Sequence, residues 1–314
     1  MNIFSKELLI DQHDWKIQNI AGNWYSGTQT KYNNRDFSNY IIVGSGGRYL
    51  LSEDGITWSV NQMPDTTTDL TDVASPFVTL DLICGNQLLA RGSAGSNLWD
   101  YRVTTSGISW QHCLYVYPLN KYIATAGAYL AYATPPASGQ TVTWTITNQT
   151  NVLGSSLKYI DHLGTLITTG SNAKISTSTN GTSWTEYQVG TDTSITWRDT
   201  TTDGTTVAMI GYKAPADGMI YLTTSTDLTS WTTPVMIASG AGVAFNPTSF
   251  EYKNGQWLAC GRRTTSYTGG YSISSNLTNW QTDSMPVGNE WNKVIPANTG
   301  WILAGKDYIA FREY

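Results

Sequence analysis

The sequence predicts an all-β protein built from a repeated four-stranded sheet, and three observations support that fold class. The 314 residues include 13 tryptophans and 19 tyrosines but only 13% charged residues, a composition that suits aromatic-packed sheets. A motif that ends in tryptophan recurs along the chain. A short apolar segment that ends in glycine recurs between the copies of that motif. Two interleaved repeats of this kind indicate one supersecondary structure copied many times.

The tryptophan motif occurs six times, at spacings of 34 to 52 residues. Its best copies read SEDGITW and STNGTSW, and its weakest read TTSGISW and SGQTVTW. The six copies end at Trp58, Trp110, Trp144, Trp184, Trp231 and Trp280. The apolar segments number seven, and they end at Gly44, Gly92, Gly127, Gly170, Gly211, Gly261 and Gly305. The seventh repeat reaches the chain end before its tryptophan, while Trp15 is left over near the N-terminus. We therefore expect residues 1–17 to form the outer strand of the last repeat.

The repeat between residues 195 and 237 shows four strands most clearly. Hairpin signals at Asp203-Gly204 and at residues 226–229 separate the segments ITWRDTT, TTVAMIG, MIYLTTS and SWTTPVMI. Four-stranded antiparallel repeats of about 40 to 50 residues are typical of a β-propeller. We therefore predict a single seven-bladed β-propeller domain over residues 1–314, with its ring closed by the N-terminal strand.

The best tryptophan motifs resemble the Asp-box, S-x-D-G-x-T-W, of sialidase-like and other BNR-type propellers. The residues that carry the resemblance are Ser52, Asp54, Gly55, Thr57, Trp58, Ser178, Asn180, Gly181, Trp184, Asp227, Trp231, Asn276 and Trp280. We expect the motif to be a folding device, in which Asp or Asn accepts backbone N–H bonds and glycine takes a positive φ. The tryptophan then covers the base of the hairpin. The resemblance therefore implies a fold and says nothing about catalysis.

A sialidase-like glycoside hydrolase is one alternative that this resemblance raises. That family places an arginine triad on the substrate carboxylate, with a Tyr/Glu nucleophile pair and an Asp acid/base. Its R-I-P segment is missing here, and Arg198 is the only arginine on a predicted innermost strand. The three histidines, His13, His112 and His162, are scattered and form no metal-binding motif. We therefore expect no catalytic residues, no metal and no cofactor.

Aromatic and arginine residues outside the tryptophan motifs are the candidate binding residues. They fall in or beside loops expected on one face, and they are Trp24, Tyr25, Trp99, Tyr101, Trp197, Arg198, Tyr212, Arg262, Arg263, Tyr267 and Trp291. Aromatic rings beside Asn, Thr and Asp suit the apolar faces and hydroxyls of sugars. The same rings could instead fill the interfaces between blades. The longest of these loops, 212–218 and 262–270, are the best places for a partner contact.

Charge and cysteine content exclude several classes of function. The formal net charge is −5, whereas a nucleic-acid-binding protein needs a basic face. The sequence shows no signal peptide and no apolar run of about 18 residues, so we expect no membrane insertion. Cys84, Cys113 and Cys260 match no metal or redox motif, and we expect three buried thiols without disulfides.

The predicted seven-bladed Asp-box ring, the acidic net charge and the expected lack of a signal peptide and of disulfides together resemble the virion proteins of tailed bacteriophages. The sequence therefore predicts a non-enzymatic virion surface protein of the tail, fibre or capsid-decoration kind, made in the host cytoplasm and located in the virion. Its expected partners are other virion proteins and host cell-surface glycans. Two alternatives stay open, namely the sialidase-like glycoside hydrolase and a propeller that acts as a scaffold or assembly factor.

Overall fold

The computed structural model describes residues 9–10, 15–32, 35–64, 67–77, 80–93, 98–136, 142–149, 151, 154–213, 219–239, 245–263, 269–288 and 290–314. The chain divides into two compact units, unit 1 (residues 1–150 and 295–314) and unit 2 (residues 151–294). The described residues of both units form β-strands joined by turns, with three short 3-10 turns. None of the described helical segments is long and apolar enough to cross a membrane.

The first twelve strands belong to unit 1. They are β1 (Leu9–Ile10), β2 (Lys16–Tyr32), β3 (Arg35–Gly44), β4 (Arg48–Ser52), β5 (Ser59–Gln62), β6 (Leu70–Phe77), β7 (Leu80–Ser93), β8 (Leu98–Ser109), β9 (His112–Val116), β10 (Lys121–Ala126), β11 (Tyr129–Ala133) and β12 (Thr145–Asn148). They form part of a seven-stranded sheet, a sheet of β6, β7 and β8, and a sheet of β9 to β12.

The next twelve strands belong to unit 2. They are β13 (Ser156–Ile160), β14 (Thr165–Thr169), β15 (Lys174–Ser178), β16 (Thr185–Gln188), β17 (Ile195–Thr202), β18 (Val207–Lys213), β19 (Met219–Ser225), β20 (Val235–Ser239), β21 (Asn246–Lys253), β22 (Gln256–Arg262), β23 (Gly270–Ser274) and β24 (Gln281–Ser284). They form three four-stranded antiparallel sheets, each built from four consecutive strands. The predicted four-stranded antiparallel repeat is therefore confirmed.

The last two strands, β25 (Trp291–Pro296) and β26 (Gly300–Glu313), complete the seven-stranded sheet, in the order β25-β26-β2-β3-β4-β5 with β1 on β2. The described residues thus form six sheets, and the predicted count of seven blades is wrong. The reason is the length of β2. Its residues 16–19 pair with β26, and its residues from Trp24 onward pair with β3, so strands expected in two blades belong to one sheet.

The start of the chain pairs with the last strand, as the leftover Trp15 predicted. Residues 16–19 pair with residues 308–311 of β26 in antiparallel register, and Trp15 is fully buried. The predicted bounds of this strand need correction. The strand begins at Lys16 and continues far beyond residue 17, whereas Leu9 and Ile10 pair with β2 as a further strand outside it.

The recurring glycines have a steric cause in these sheets. Gly44 lies opposite Trp24 and Gly211 lies opposite Trp197 in the antiparallel registers. A methyl group on either glycine would come within 2.7 or 2.8 Å of the indole ring, closer than carbon atoms pack. The second strand of these repeats therefore needs a glycine where an aromatic side chain of the first strand lies across it.

The fourth strand of the clearest repeat starts later than the sequence predicts. It begins at Val235, not at residue 230, because the preceding residues make no regular ladder. The hydroxyl of Thr232 accepts the hydrogen bond from the Thr224 N–H, at 2.9 Å. Pro234 has no N–H to donate. Regular pairing with β19 begins at Val235, which pairs with Leu222.

The three cysteines are buried and free, as the sequence predicts. Burial raises the pKa of the Cys260 thiol to about 12, and burial also raises the pKa of Cys113 well above its ordinary value. Thiols in this state are poor nucleophiles and poor metal ligands.

Candidate functional site

Four of the tryptophan motifs form the same hydrogen-bonded turn. In the first, the Ser52 hydroxyl accepts from the Gly55 N–H at 2.8 Å. The Asp54 carboxylate accepts from the N–H groups of Ile56 and Thr57, at 2.8 and 2.6 Å. The turns that begin at Ser178, Ser225 and Ser274 repeat these bonds with Asn180, Asp227 and Asn276 as acceptors.

These turns use their polar groups internally. Gly55 and Gly181 have φ values of 75° and 73°, as predicted, and Leu228 and Leu277 take the same conformation with φ of 63°. The indole N–H groups of Trp231 and Trp280 donate to the carbonyls of these leucines. The motif is therefore a folding device. The weaker copy before Trp110 differs, because its residues lie within β8, and the copy before Trp144 lies partly outside the described residues.

Three of the predicted binding rings are buried. Trp24, Trp197 and Trp291 are fully buried, so none of them has a face available to a sugar. The indole N–H of Trp24 donates to the Ile20 carbonyl at 2.8 Å. Their burial gives no support to a sugar-binding role for these three residues.

The other predicted rings fall into three groups. Tyr25 and Tyr212 are half-buried, and the Tyr25 hydroxyl donates to the Asp69 carboxylate at 3.3 Å. Trp99 and Tyr101 belong to β8, but their side chains lie outside the described part of the structure. Tyr267 lies outside the described residues altogether.

Arg198 occupies a β-bulge near the start of β17. The register between β17 and β18 shifts between Trp197 and Asp199, so Arg198 is the extra residue. A bulge re-aims the side chain of the residue that it inserts. The Arg198 guanidinium lies over the Tyr212 ring, with its carbon 5.7 Å from the ring centroid. The side chain is half-buried at the strand ends of the sheet.

The environment of Arg198 is unfavourable for a cation. Burial lowers the pKa of Arg198, and the nearby Arg262 acts in the same direction, whereas Tyr212 and Asp199 act against it. Arginine still stays protonated in proteins. Burial is the main cause of this pKa shift, and repulsion by Arg262 is a smaller one.

The adjacent carboxylate of Asp199 makes no hydrogen bond with Arg198, although its charge favours the guanidinium. Asp199 is buried, and its two oxygens accept from the backbone N–H groups of Thr200 at 2.9 Å and Phe250 at 2.8 Å. The second of these bonds joins β17 to β21. The Asp199 carboxylate therefore links the first strands of two neighbouring sheets, β17 and β21.

Four cations lie at the same strand ends of two neighbouring sheets in unit 2, and two of them donate hydrogen bonds to described residues. Lys213 donates to Asp192 at 2.8 Å, and Arg263 donates to the Ser284 hydroxyl at 2.8 Å. The guanidinium groups of Arg198 and Arg262 make no hydrogen bond or ion pair with any other described residue. We call Arg198, Tyr212 and Arg262 the arginine–tyrosine patch. Within the described chain, no group of His, Cys, Asp and Glu is arranged to hold a metal.

A second charged cluster was missed by the sequence reasoning. Glu251 of β21 pairs with Lys158 of β13, and its same oxygen lies 3.6 Å from the Lys293 ammonium of β25. Its other oxygen accepts from the Thr201 hydroxyl at 3.5 Å. The sequence does show a charged residue inside the first strand of three repeats, namely Lys158, Glu251 and Lys293. Only alignment of the repeats could have placed these residues together.

Known structures resemble this protein over nearly its whole length. Streptogramin B lyase matches with a TM-score of 0.72 at 13% identity, covering 95% of this chain and 97% of that one. YCF48 bound to D1 peptide matches with a TM-score of 0.72 at 13% identity, covering 99% and 100%. A chain of the mitotic checkpoint complex matches with a TM-score of 0.70 at 8% identity, covering 100% and 97%. No family model and no curated protein matches the sequence.

At these identities the likeness shows the fold alone. The chain has a β-propeller fold with four-stranded antiparallel blades, as the sequence predicts. The neighbouring structures include a lyase, a peptide complex and a checkpoint assembly, so the same architecture serves unrelated functions. Membership of the Asp-box family and the resemblance to phage proteins stay predictions from the sequence.

Proposed function

We propose that the protein is a non-catalytic β-propeller that docks a protein partner, in a scaffold or assembly role. One observation carries the proposal, namely the arginine–tyrosine patch in a chain whose formal net charge is −5. An acidic protein gains nothing in stability from two neighbouring guanidinium groups that lack an anionic partner in the described structure. A partner that supplies the anion accounts for them.

The comparisons support this class of function. YCF48 holds a peptide in its structure, and the mitotic checkpoint complex is a protein assembly. Protein docking also fits a virion surface protein that contacts other virion proteins. That location, and the single domain spanning residues 1–314, remain part of this proposal. Host glycans fit less well, because Trp24, Trp197 and Trp291 are buried.

A sialidase-like activity has weaker support from the same geometry. Such an enzyme needs a third arginine and two carboxylic acids beside the pair at Arg198 and Arg262. Arg263 donates to Ser284, and Asp199 accepts two backbone N–H groups. We therefore expect no hydrolysis of sialosides or aryl glycosides. Turnover that disappears in Arg198→Ala would contradict the proposal.

Site-specific photo-crosslinking tests the docking site directly. A benzophenone amino acid in place of Tyr212 should crosslink to a protein in a lysate of the source cells. The same group in place of Tyr117, which is 63% exposed in unit 1, serves as the control. We expect one crosslinked band with the Tyr212 variant that is missing with the Tyr117 variant.

A charge variant makes the crosslinking result specific. Arg198→Gln combined with Arg262→Gln should abolish the band, whereas Lys213→Gln should retain it because Lys213 is already paired with Asp192. No crosslink at position 212, or equal crosslinking with and without the two arginines, would overturn the proposed docking site.

A further inference from the structure

This inference rests on the proposed function. We infer that the arginine–tyrosine patch binds a carboxylate of the partner polypeptide. Arg198 donates two parallel hydrogen bonds to that carboxylate, and Arg262 contacts it. The carboxylate belongs to an acidic side chain or to a C-terminus. Both sources present the same planar anion to the patch, and the experiment below separates them.

The need for an anion follows from the contacts of Arg198. A guanidinium has five N–H donors, and no described residue accepts from those of Arg198. Half-burial removes part of its hydration, and an unpaired cation in such a place is costly. A ligand that pairs with this charge recovers that cost when it binds. Arg262 is exposed, so it can attract the anion before contact.

The planar shape of the anion follows from the position of Tyr212. The aromatic ring lies against one side of the Arg198 guanidinium and restricts its orientation. A ligand must then approach the edge of the guanidinium, where two N–H groups point in parallel. A carboxylate matches that edge with two oxygens in one plane.

The other charged residues beside the patch indicate how many negative charges the anion carries. A phosphoryl group carries close to two negative charges at neutral pH. Lys213 is paired with Asp192, and the charge of Arg263 is offset by Asp283, so neither adds a full third positive charge. With these pairs balanced, Arg198 and Arg262 are the two described cations at this strand end whose charge is not offset by a salt bridge. The patch therefore suits a single carboxylate.

Titration with short synthetic peptides tests the inference. The four probes are acetyl-Gly-Gly-Ala-Ala with a free C-terminus, its C-terminal amide, the amide of acetyl-Gly-Glu-Ala-Ala, and the amide of acetyl-Gly-phosphoserine-Ala-Ala. Binding is followed by the NMR signals of the arginine Nε–H groups on the full chain. We expect a Kd on the order of 1 mM for one carboxylate probe, at least about tenfold weaker binding of the neutral amide, and a shift of the Arg198 signal.

Substitutions separate geometry from charge. Arg198→Lys keeps the charge but loses the planar fork, so binding should weaken about tenfold. Arg262→Gln, at an exposed position, should weaken binding and make the Kd less sensitive to 0.5 M salt than in the parent, because one screened charge is gone. Lys213→Gln removes the same charge from the same strand end and should leave the Kd unchanged.

The outcomes decide between the sources and against the inference. Preference for the free C-terminus assigns a terminal carboxylate, and preference for the glutamate probe assigns an acidic side chain. Equal binding of the neutral amide, tighter binding of the phosphoserine probe, or Arg198→Lys binding as well as the parent would overturn the inference. If crosslinking at position 212 persists in that case, the docking proposal stands and only the carboxylate is wrong.

Discussion

At the scale of single residues, the protein closes its turns with one arrangement of serine and Asp or Asn. The acceptor oxygen satisfies two backbone N–H groups in each turn, whether it belongs to a carboxylate or to an amide. Leucine replaces glycine at φ of 63° in two turns, where a side chain ordinarily costs about 1 kcal/mol. Leu228 is buried in the core of unit 2, which offsets that cost.

Substitutions of Asp54 test this arrangement. Asp54→Ala should lower the free energy of unfolding by about 1 kcal/mol, because two backbone N–H groups lose their acceptor. Asp54→Asn should keep the stability of the parent at pH 7, since Asn180 and Asn276 accept the same bonds in their turns. Urea unfolding measures both. Equal losses for the two variants would contradict the hydrogen-bond explanation.

The same pair of variants predicts a pH dependence. Partial burial acts to raise the pKa of Asp54, but hydrogen bonds from Thr57 and Ile56 outweigh it and lower the pKa. A carboxyl whose folded-state pKa is lowered adds stability above its unfolded pKa of about 4, and loses that contribution as the pH falls through the folded value. Between about pH 5 and about pH 2, Asp54→Asn should therefore lose less stability than the parent. Equal losses of unfolding free energy in the parent and in Asp54→Asn would show that the Asp54 charge does not contribute to stability.

At the scale of strands, contacts of two carboxylates join first strands of different sheets. Glu251 links β21 to β13 and β25, and its side chain is only 15% exposed. Asp199 links β17 to β21 through a backbone N–H. Both contacts bridge residues about 40 to 90 positions apart, so they stabilise the packing of sheets and not any one hairpin.

Removal of the Glu251 charge should destabilise the protein. Glu251→Gln leaves two half-buried ammonium groups without their carboxylate, and we expect a loss of roughly 2 kcal/mol after allowance for partial exposure. Glu186→Gln is the matched control, because the one described ion pair of Glu186 is with the more exposed Lys174 on its own sheet. That change should cost less than about 0.5 kcal/mol. Equal urea midpoints for the two variants would contradict a linking role for Glu251.

At the scale of the whole molecule, the two ends of the chain meet in one sheet of unit 1. Residues 16–19 cover the strand at residues 308–311, and β1 lies outside them. Without β2 in this place, β26 would have an unpaired edge that can pair with other chains. The length of β2 also explains why six sheets are found where the sequence predicts seven blades.

Truncation tests the contribution of this pairing. Deletion of residues 1–19 should expose β26 and produce aggregates in size-exclusion chromatography at room temperature. Deletion of residues 1–8, which keeps β1 and β2, should leave a monodisperse protein with the parent melting temperature. A soluble, fully stable product after the longer deletion would show that the pairing is dispensable.

The sequence by itself determined the features that depend on neighbouring residues. The repeated turns, the positive φ values at Gly55 and Gly181 and the all-β class follow from local hydrogen bonds and periodicity, so they could be predicted. The pairing of the chain start with the last strand was also predictable, because a leftover motif implied it. Arg198 and Arg262 lie close enough to repel each other, but no local pattern distinguishes them from Arg263.

Only the tertiary structure decided which of the predicted aromatic rings face solvent and which of the predicted charged groups have a partner. Trp24, Trp197 and Tyr212 are all aromatic residues predicted in or beside loops of one face, yet two are buried and one lies beside the Arg198 guanidinium. The burial of a ring and the pairing of a charge depend on strands tens of residues away, which a local pattern does not specify. The cluster around Glu251 stayed hidden for the same reason. Its members become neighbours only when separate sheets pack against one another.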